Sequence, residues 1–103
     1  MTRYFVSRHP GAMAWARQQG VAADFQVTHI DPEIIHEGDL VIGTLPVNLA
    51  ARVCQRGGRY LHLSLLLPHA WRGRELSVDE LHACDARLEE YRIEHLPGLE
   101  EGA

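Results

Sequence analysis

The run Leu40-Val41-Ile42 constrains the fold of this chain more than any other segment, because all three of its residues are apolar. A strand with one face in water alternates apolar and polar residues, whereas a strand covered on both faces is apolar throughout. The run therefore predicts a central strand with helices packed on both sides of the sheet. Residues 43–46 then turn the chain, and Pro46 is expected to begin a helix, where its missing N–H sacrifices no hydrogen bond.

The other predicted elements alternate between strand and helix along the chain. Strands are expected at residues 4–6, 24–30 and 60–66, helices at residues 12–19, from 46 onward and across 78–91, and a last edge strand at residues 92–96. A capping box of Ser77 with Glu80 marks the start of the third helix, and Leu81, Cys84, Leu88 and Tyr91 fall on one face of it. This order predicts a three-layer, Rossmann-like α/β domain with a mainly parallel sheet over residues 1–96, followed by a flexible acidic tail at residues 97–103.

Composition and charge limit the partners. A chain of 103 residues corresponds to about one small domain of modest stability, which a partner subunit would stabilise. Residues 1–74 carry eight Arg and five acidic side chains, whereas residues 75–103 carry two Arg and nine acidic side chains. The first part favours an anionic ligand but lacks the basic stripe of a duplex DNA binder. All ten basic residues are Arg, so a cationic contact to phosphate has to come from a guanidinium.

The cellular location is predicted from segments that the sequence lacks. Cys54 and Cys84 lie in apolar helical patterns and are interpreted as buried reduced thiols, not as a disulfide framework. The first residues carry no signal-peptide pattern, and no apolar run is long enough to span a bilayer. We therefore expect a soluble cytoplasmic protein without a membrane partner.

Ligands of open parallel sheets bind outside the carboxyl ends of the strands, where the strand order reverses. After the first strand, the loop Ser7-Arg8-His9-Pro10-Gly11 offers a guanidinium for phosphate, an imidazole, a hydroxyl and a helix start. In the alternative interpretation, Ser7 only caps the helix, and Arg8 and His9 are solvated.

The loop after the third strand adds Gly43, Thr44 and Asn48, and the fourth strand brings Ser64 to the same edge. Backbone and hydroxyl donors at a helix start suit an anion, although a plain strand-to-helix turn explains the same residues. The loop lacks the Gly-rich spacing and the Lys of a P-loop, which argues against hydrolysis of nucleoside triphosphates.

The histidine pattern predicts neither a metal site nor a cofactor. The chain has no C-x-x-C or H-x-x-x-H pair, and although His29, Asp31 and His36 could cluster, loop histidines are more often solvated. His62 points away from the neighbouring leucines of the fourth strand and is interpreted as structural. Trp71 either stacks on a base or packs against the fold.

Taken together, several of these segments resemble a known family. They are Ser7-Arg8-His9-Pro10-Gly11, Asp31-Pro32, Gly38-Asp39, Val41-Ile42-Gly43-Thr44-Leu45-Pro46, Leu49-Ala50-Ala51, Arg56-Gly57, Gly73-Arg74-Glu75-Leu76-Ser77 and Arg87-Leu88-Glu89-Glu90-Tyr91. In this order, over residues 2–93, they look like the small stand-alone accessory proteins of type III CRISPR systems, in the ring nuclease group.

The resemblance implies a homodimeric ring nuclease with a Rossmann-like sensor-domain fold, which linearises cyclic tetra-adenylate without a metal and so switches off type III signalling. The expected reaction is in-line attack of a ribose 2′-hydroxyl on its own 3′-phosphate. We assign Arg8 to the phosphate and His9 as the candidate general acid for the leaving 5′-oxygen. The residues expected to bind the substrate are Ser7, Pro10, Gly11, Gly43, Thr44, Asn48 and Ser64.

Three other functions fit the same residues. A binding protein would sequester cyclic oligoadenylate without cutting it, because catalysis by positioning requires few dedicated residues. A phosphatase of the histidine type would share Arg8-His9 after a first strand, but Pro10 stands where that family has glycine, and its fold needs a larger domain. An adaptor without a ligand would gain no thermal stability from any cyclic nucleotide.

Overall fold

The structure is a computed structural model that describes residues 1–98. Within them the strands are β1 (Arg3–Val6), β2 (Phe25–Val27), β3 (Leu40–Gly43), β4 (Arg59–Ser64) and β5 (Arg87–Tyr91), and the helices are α1 (Pro10–Gln18), α2 (Val47–Gln55) and α3 (Val78–Ala83). Two 3₁₀ turns, Pro32–Ile34 and His69–Trp71, lie in the connections. Residues 99–103 of the predicted acidic tail lie outside the described part of the chain.

The five strands form one sheet in the order β2-β1-β3-β4-β5. Strands β1 to β4 run parallel, and β5 lies antiparallel on the outer side of β4. From β1 the chain continues through α1 to β2 on one side, and from β3 it continues through α2 to β4 on the other. The strand order therefore reverses between β1 and β3, which are neighbours in the sheet.

Helices cover both faces of the sheet, as the apolar run at residues 40–42 predicts. On one face, Phe5 and Ile42 pack around Trp15 of α1, which is 2% exposed, and α3 closes the same cluster. On the other face, Val41 packs with Val53 of α2. Strand β3 is buried along its whole length. The predicted fold class, a mainly parallel α/β sheet of the Rossmann-like type, is confirmed.

The third helix is shorter than its apolar spacing predicts. It begins at the predicted capping box, in which Ser77 Oγ accepts from the Glu80 N–H and the Glu80 carboxylate accepts from the Ser77 N–H. The helix ends at Ala83, because Asp85 adopts a φ of 55° and reverses the chain. Residues 87–91 then pair with β4, so the predictions of helix there and of an edge strand at residues 92–96 are wrong. Leu88 is nevertheless partly buried, because it packs on the α1–α3 side of the sheet from a strand.

Both cysteines are free thiols, but their burial differs. Cys84 is buried as predicted, whereas Cys54 is only partly buried. No helix within residues 1–98 is long and apolar enough to cross a membrane.

Candidate functional site

A cleft of about 740 Å³ lies at the carboxyl edge of the sheet, around the ends of β1 and β3. Open parallel sheets bind their ligands at this reversal of strand order. The volume falls within the range of roughly 300–1,000 Å³ that is typical of small-molecule sites. Polar side chains that line the cleft include Ser7, Arg8, His9, Thr44, His62 and Arg72.

The loop after β1 is shaped by hydrogen bonds of Ser7. Its N–H donates to the Val27 carbonyl oxygen at 3.0 Å, which holds the loop against the end of β2. Its hydroxyl oxygen accepts from the His9 N–H, also at 3.0 Å. His9 occupies the N-cap of α1 without a side-chain cap, so the alternative in which Ser7 caps the helix is wrong.

His9 is anchored by the segment that precedes α3. Its Nδ1 accepts a hydrogen bond from the Leu76 N–H at 3.3 Å. Gly11 lies against the same segment, since a Cβ built on it would stand 2.4 Å from the Leu76 carbonyl oxygen. The absence of a side chain at Gly11 therefore lets α1 approach residues 76–78, and this approach brings the Leu76 amide to the imidazole.

Two guanidinium groups in the cleft are not neutralised by any carboxylate in the described part of the chain. Within residues 1–98, neither Arg8 nor Arg72 forms a salt bridge, and both are exposed. Arg74 differs, because it pairs with Glu80 and its guanidinium carbon lies 4.9 Å from the ring centroid of Trp71. Trp71 itself packs against the core. Since a free guanidinium binds phosphate through two parallel hydrogen bonds, Arg8 and Arg72 suit an anionic ligand.

Tyr60 ties the loop after β3 to β4. Its hydroxyl oxygen accepts from the Leu45 N–H at 2.9 Å and lies 3.2 Å from the Gly43 carbonyl oxygen. Burial, the largest cause, raises the pKa of Tyr60, so the phenol keeps its proton at neutral pH. Between these two tethered residues, Thr44 Oγ1 donates to the Leu63 carbonyl oxygen at 3.1 Å. The position of Thr44 at the cleft is thus set by β4.

His62 is a cleft residue that the sequence interpretation missed. Its place in an alternating strand indicates a structural side chain, and it also lines the cleft. Its Nδ1 lies 2.6 Å from the Tyr60 hydroxyl oxygen, and its ring meets Tyr91 edge-on, with centroids 5.9 Å apart. Glu89 faces it in register from β5, and a hydrogen bond with Ser64 is the main cause that lowers the pKa of Glu89. The sequence signal for this group is the two-residue spacing of Tyr60, His62 and Ser64, which places them on one face of β4.

The structure brings part of the predicted site together. Ser7, Arg8, His9 and Thr44 all line the cleft. The predicted substrate residues outside its lining are Pro10, Gly11, Gly43, Asn48 and Ser64. Asn48 is exposed in the first turn of α2.

Metal-binding side chains do not converge within residues 1–98, where no three His, Cys, Asp or Glu side chains are placed to hold an ion. Asp31 instead accepts a hydrogen bond from the Glu33 N–H at 3.0 Å and so caps a 3₁₀ turn. His36 is exposed, with its Nδ1 3.8 Å from a carboxylate oxygen of Asp39.

Comparison with known proteins identifies the family of the chain. Residues 4–94 match the family model described as "Putative CRISPR-associated protein (Cas_VVA1548)". No curated protein and no solved structure matches the chain significantly. The matched segment contains the cleft and nearly the whole sheet. The chain therefore belongs to the Cas_VVA1548 family of CRISPR-associated proteins.

Proposed function

We propose that this protein is a ring nuclease that binds cyclic tetra-adenylate and opens the ring without a metal ion. A ribose 2′-hydroxyl attacks the adjacent phosphorus, so that an O2′–P bond forms while the P–O5′ bond breaks. The product is a linear oligoadenylate with a 2′,3′-cyclic phosphate and a free 5′-hydroxyl. Removal of this messenger would switch off type III CRISPR signalling.

The observation that carries the proposal is the composition of the cleft in a CRISPR-associated protein. Two guanidinium groups that have no carboxylate partner among residues 1–98, those of Arg8 and Arg72, share the cleft with the imidazoles of His9 and His62. Guanidinium groups bind phosphate, and imidazoles exchange protons near neutral pH. This combination suits transfer at a phosphodiester better than it suits an adaptor that binds no ligand.

Catalysis of this reaction requires chiefly a fixed geometry, because nucleophile and phosphate belong to the same molecule. Holding the 2′-oxygen, phosphorus and 5′-oxygen in line removes much of the entropic barrier. In the proposed complex, Arg8 binds the reacting phosphate and stabilises the charge that develops on it. His9 donates a hydrogen bond to the departing 5′-oxygen, and the hydroxyls of Ser7 and Thr44 orient ribose and phosphate.

We further propose that two copies of the chain share one ring. A ring of four nucleotides is larger than a drug-sized ligand, whereas one cleft measures about 740 Å³. The ring also has two-fold symmetry, which matches the commonest symmetry of protein dimers. Each protomer would then supply one Arg8 and one His9 to opposite halves of the ligand.

The direct test is incubation of purified protein with cyclic tri-, tetra- and hexa-adenylate in EDTA, followed by chromatography of the products. We expect the tetra-adenylate ring to be converted into linear products that end in a 2′,3′-cyclic phosphate. An intact ring after long incubation at enzyme excess would overturn the proposal. Tight binding without any linear product would instead identify a protein that sequesters the messenger.

A further inference from the structure

The hydrogen bonds of Tyr60 assign the proton on the ring of His62. A phenol has one O–H donor and two acceptor lone pairs. The Tyr60 oxygen accepts from the Leu45 N–H, lies 3.2 Å from the Gly43 carbonyl oxygen and lies 2.6 Å from His62 Nδ1. All three contacts are satisfied when the phenol donates to the Gly43 carbonyl and accepts from Nδ1–H. This assignment from the network leaves the lone pair of the imidazole on Nε2.

The Nε2 atom of His62 is the atom that remains for a ligand. The side chain lines the cleft, and no group among residues 1–98 forms a hydrogen bond with Nε2 in the structure. His9 has the opposite arrangement, because its Nδ1 accepts from the Leu76 N–H and its ring proton is therefore on Nε2. The cleft thus contains two different imidazoles: Nε2 of His62 can accept a hydrogen bond, whereas Nε2 of His9 can donate one.

We propose that His62 is the general base of the ring-opening reaction and that Tyr60 is its positioning residue, an inference that rests on the proposed function. Nε2 of His62 accepts the 2′-hydroxyl proton while the O2′–P bond forms and the P–O5′ bond breaks. The 5′-oxygen takes up a proton from water, since His9, whose Nδ1 accepts from the Leu76 N–H, gives it a hydrogen bond and not a proton, and His62 returns its own proton to water. No proton is consumed overall, and the ring is opened by transesterification.

Several charged or titratable groups surround His62 and take part in any pH dependence. Tyr60 lies on the same strand, and β5 contributes Glu89 and Tyr91. Those that line the same cleft from the other elements are Arg8, His9, Arg72, Arg74 and Glu75. The carboxylate of Glu89 faces His62 across the strand pair.

The first experiment measures single-turnover cleavage of cyclic tetra-adenylate by His62→Gln, with His69→Gln as the matched control outside the cleft. We expect His62→Gln to bind the ring with nearly native affinity but to cleave it at least about 100-fold more slowly, the usual contribution of a general base. The rate of the native protein should fall as the pH is lowered, because a protonated imidazole cannot accept the 2′-hydroxyl proton. The cleavage rate of His62→Gln should not show this fall at low pH. Added imidazole should restore cleavage by His62→Ala.

The second experiment reads the proton position directly and does not depend on activity. Nitrogen-15 NMR of the histidine rings should show the Nδ1–H tautomer for His62 and the Nε2–H tautomer for His9. In Tyr60→Phe, which removes the acceptor, His62 should shift toward the Nε2–H form, and the pH–rate profile of cleavage should change with it. A purely structural role of Tyr60 would lower stability without changing the tautomer.

The outcomes separate this inference from the proposed function. If the native protein cleaves no ring, the proposed function fails, and the base role fails with it. If the native protein cleaves and folded His62→Gln cleaves at a similar rate with an unchanged pH profile, the proposed function stands and only the role of His62 is overturned. An Nε2–H tautomer for His62 in the native protein would also overturn it.

Discussion

Gly43 lies so close to Val6 that no side chain fits between them: a Cβ on Gly43 would stand 2.3 Å from the Val6 carbonyl oxygen. The two residues are register partners at the ends of β3 and β1, where the strand order reverses. Gly43 also has a φ of 152°, which L side chains rarely adopt. Although the sequence predicts this glycine as a ligand contact, strand packing at the edge of the cleft already requires it.

Replacement of Gly43 by alanine should therefore destabilise the fold. Backbone strain of this kind costs about 1–3 kcal/mol, and the contact with the Val6 carbonyl adds to that cost. Urea unfolding of Gly43→Ala should show the loss in the free energy of unfolding. Gly98→Ala is the matched control, because nothing among residues 1–98 lies within 4 Å of a Cβ at that position and its φ is not positive. Equal stability of the two variants would contradict the packing role of Gly43.

Replacement of Arg8 by alanine should weaken binding of cyclic tetra-adenylate. Hydrogen bonds to charged groups contribute about 1.5–3 kcal/mol each, which corresponds to a loss of roughly 10- to 100-fold in affinity. Isothermal titration calorimetry measures the change, and Arg8→Lys should lose less than Arg8→Ala because it keeps the charge. Arg17→Ala, in the last turn of α1, serves as control and should bind normally. Full affinity in Arg8→Ala would remove Arg8 from the site.

Acid should remove the stabilising contribution of Asp39. Its carboxylate accepts from the N–H groups of Thr2 and His36 at 3.0 and 2.9 Å, and these hydrogen bonds, that of Thr2 first, lower the pKa of Asp39. Because the folded-state pKa is below the unfolded one, the contribution is complete above the ordinary value of 3.8 and is lost as the pH falls through the lower folded-state pKa.

Asp39→Asn should accordingly unfold at lower urea concentration than the native protein at pH 7. The difference in the free energy of unfolding should shrink as the pH falls from the ordinary carboxyl pKa through the lower folded-state pKa, at which Asp39 of the folded protein also becomes neutral. Glu37→Gln, an exposed acidic position nearby, should show no such convergence. If the difference in the free energy of unfolding between the two proteins stayed constant until acid unfolds them, the charge of Asp39 would contribute nothing to stability.

Binding of cyclic tetra-adenylate should require two chains per ring. Calorimetric titration should give one ring per two protomers, and sedimentation velocity should report a dimer at saturation. A ligand that binds only the native dimer also makes the melting temperature depend on ligand and protein concentration. One ring per chain with a monomeric complex would contradict the shared site.

Some features of the fold follow from local sequence alone. The apolar run at residues 40–42 predicts a central covered strand, and β3 is indeed buried along its length. Ser77 and Glu80 predict a capping box, and both of its hydrogen bonds form. These predictions succeed because alternation, burial pattern and capping involve residues that are neighbours in the sequence.

The boundary between α3 and β5 shows where local pattern fails. Leu81, Cys84 and Leu88 are spaced as on one helix face, but Leu88 reaches the same core from a strand. Pairing of β5 with β4 supplies a ladder of backbone hydrogen bonds that the local pattern does not reveal. Tertiary context of this kind overrides intrinsic helix preference.

The sequence by itself determined the α/β class, the central strand and the placement of Ser7, Arg8, His9 and Thr44 at one edge of the sheet, because the carboxyl ends of parallel strands meet there. Only the tertiary structure decided that His62 joins them and which hydrogen-bond partners each imidazole has. The hydrogen bonds that hold the two histidines join residues that are distant in the chain, as for His9 with Leu76, or depend on Tyr60, whose hydroxyl contacts both Leu45 and His62. Contacts of this kind leave no periodic pattern in the sequence.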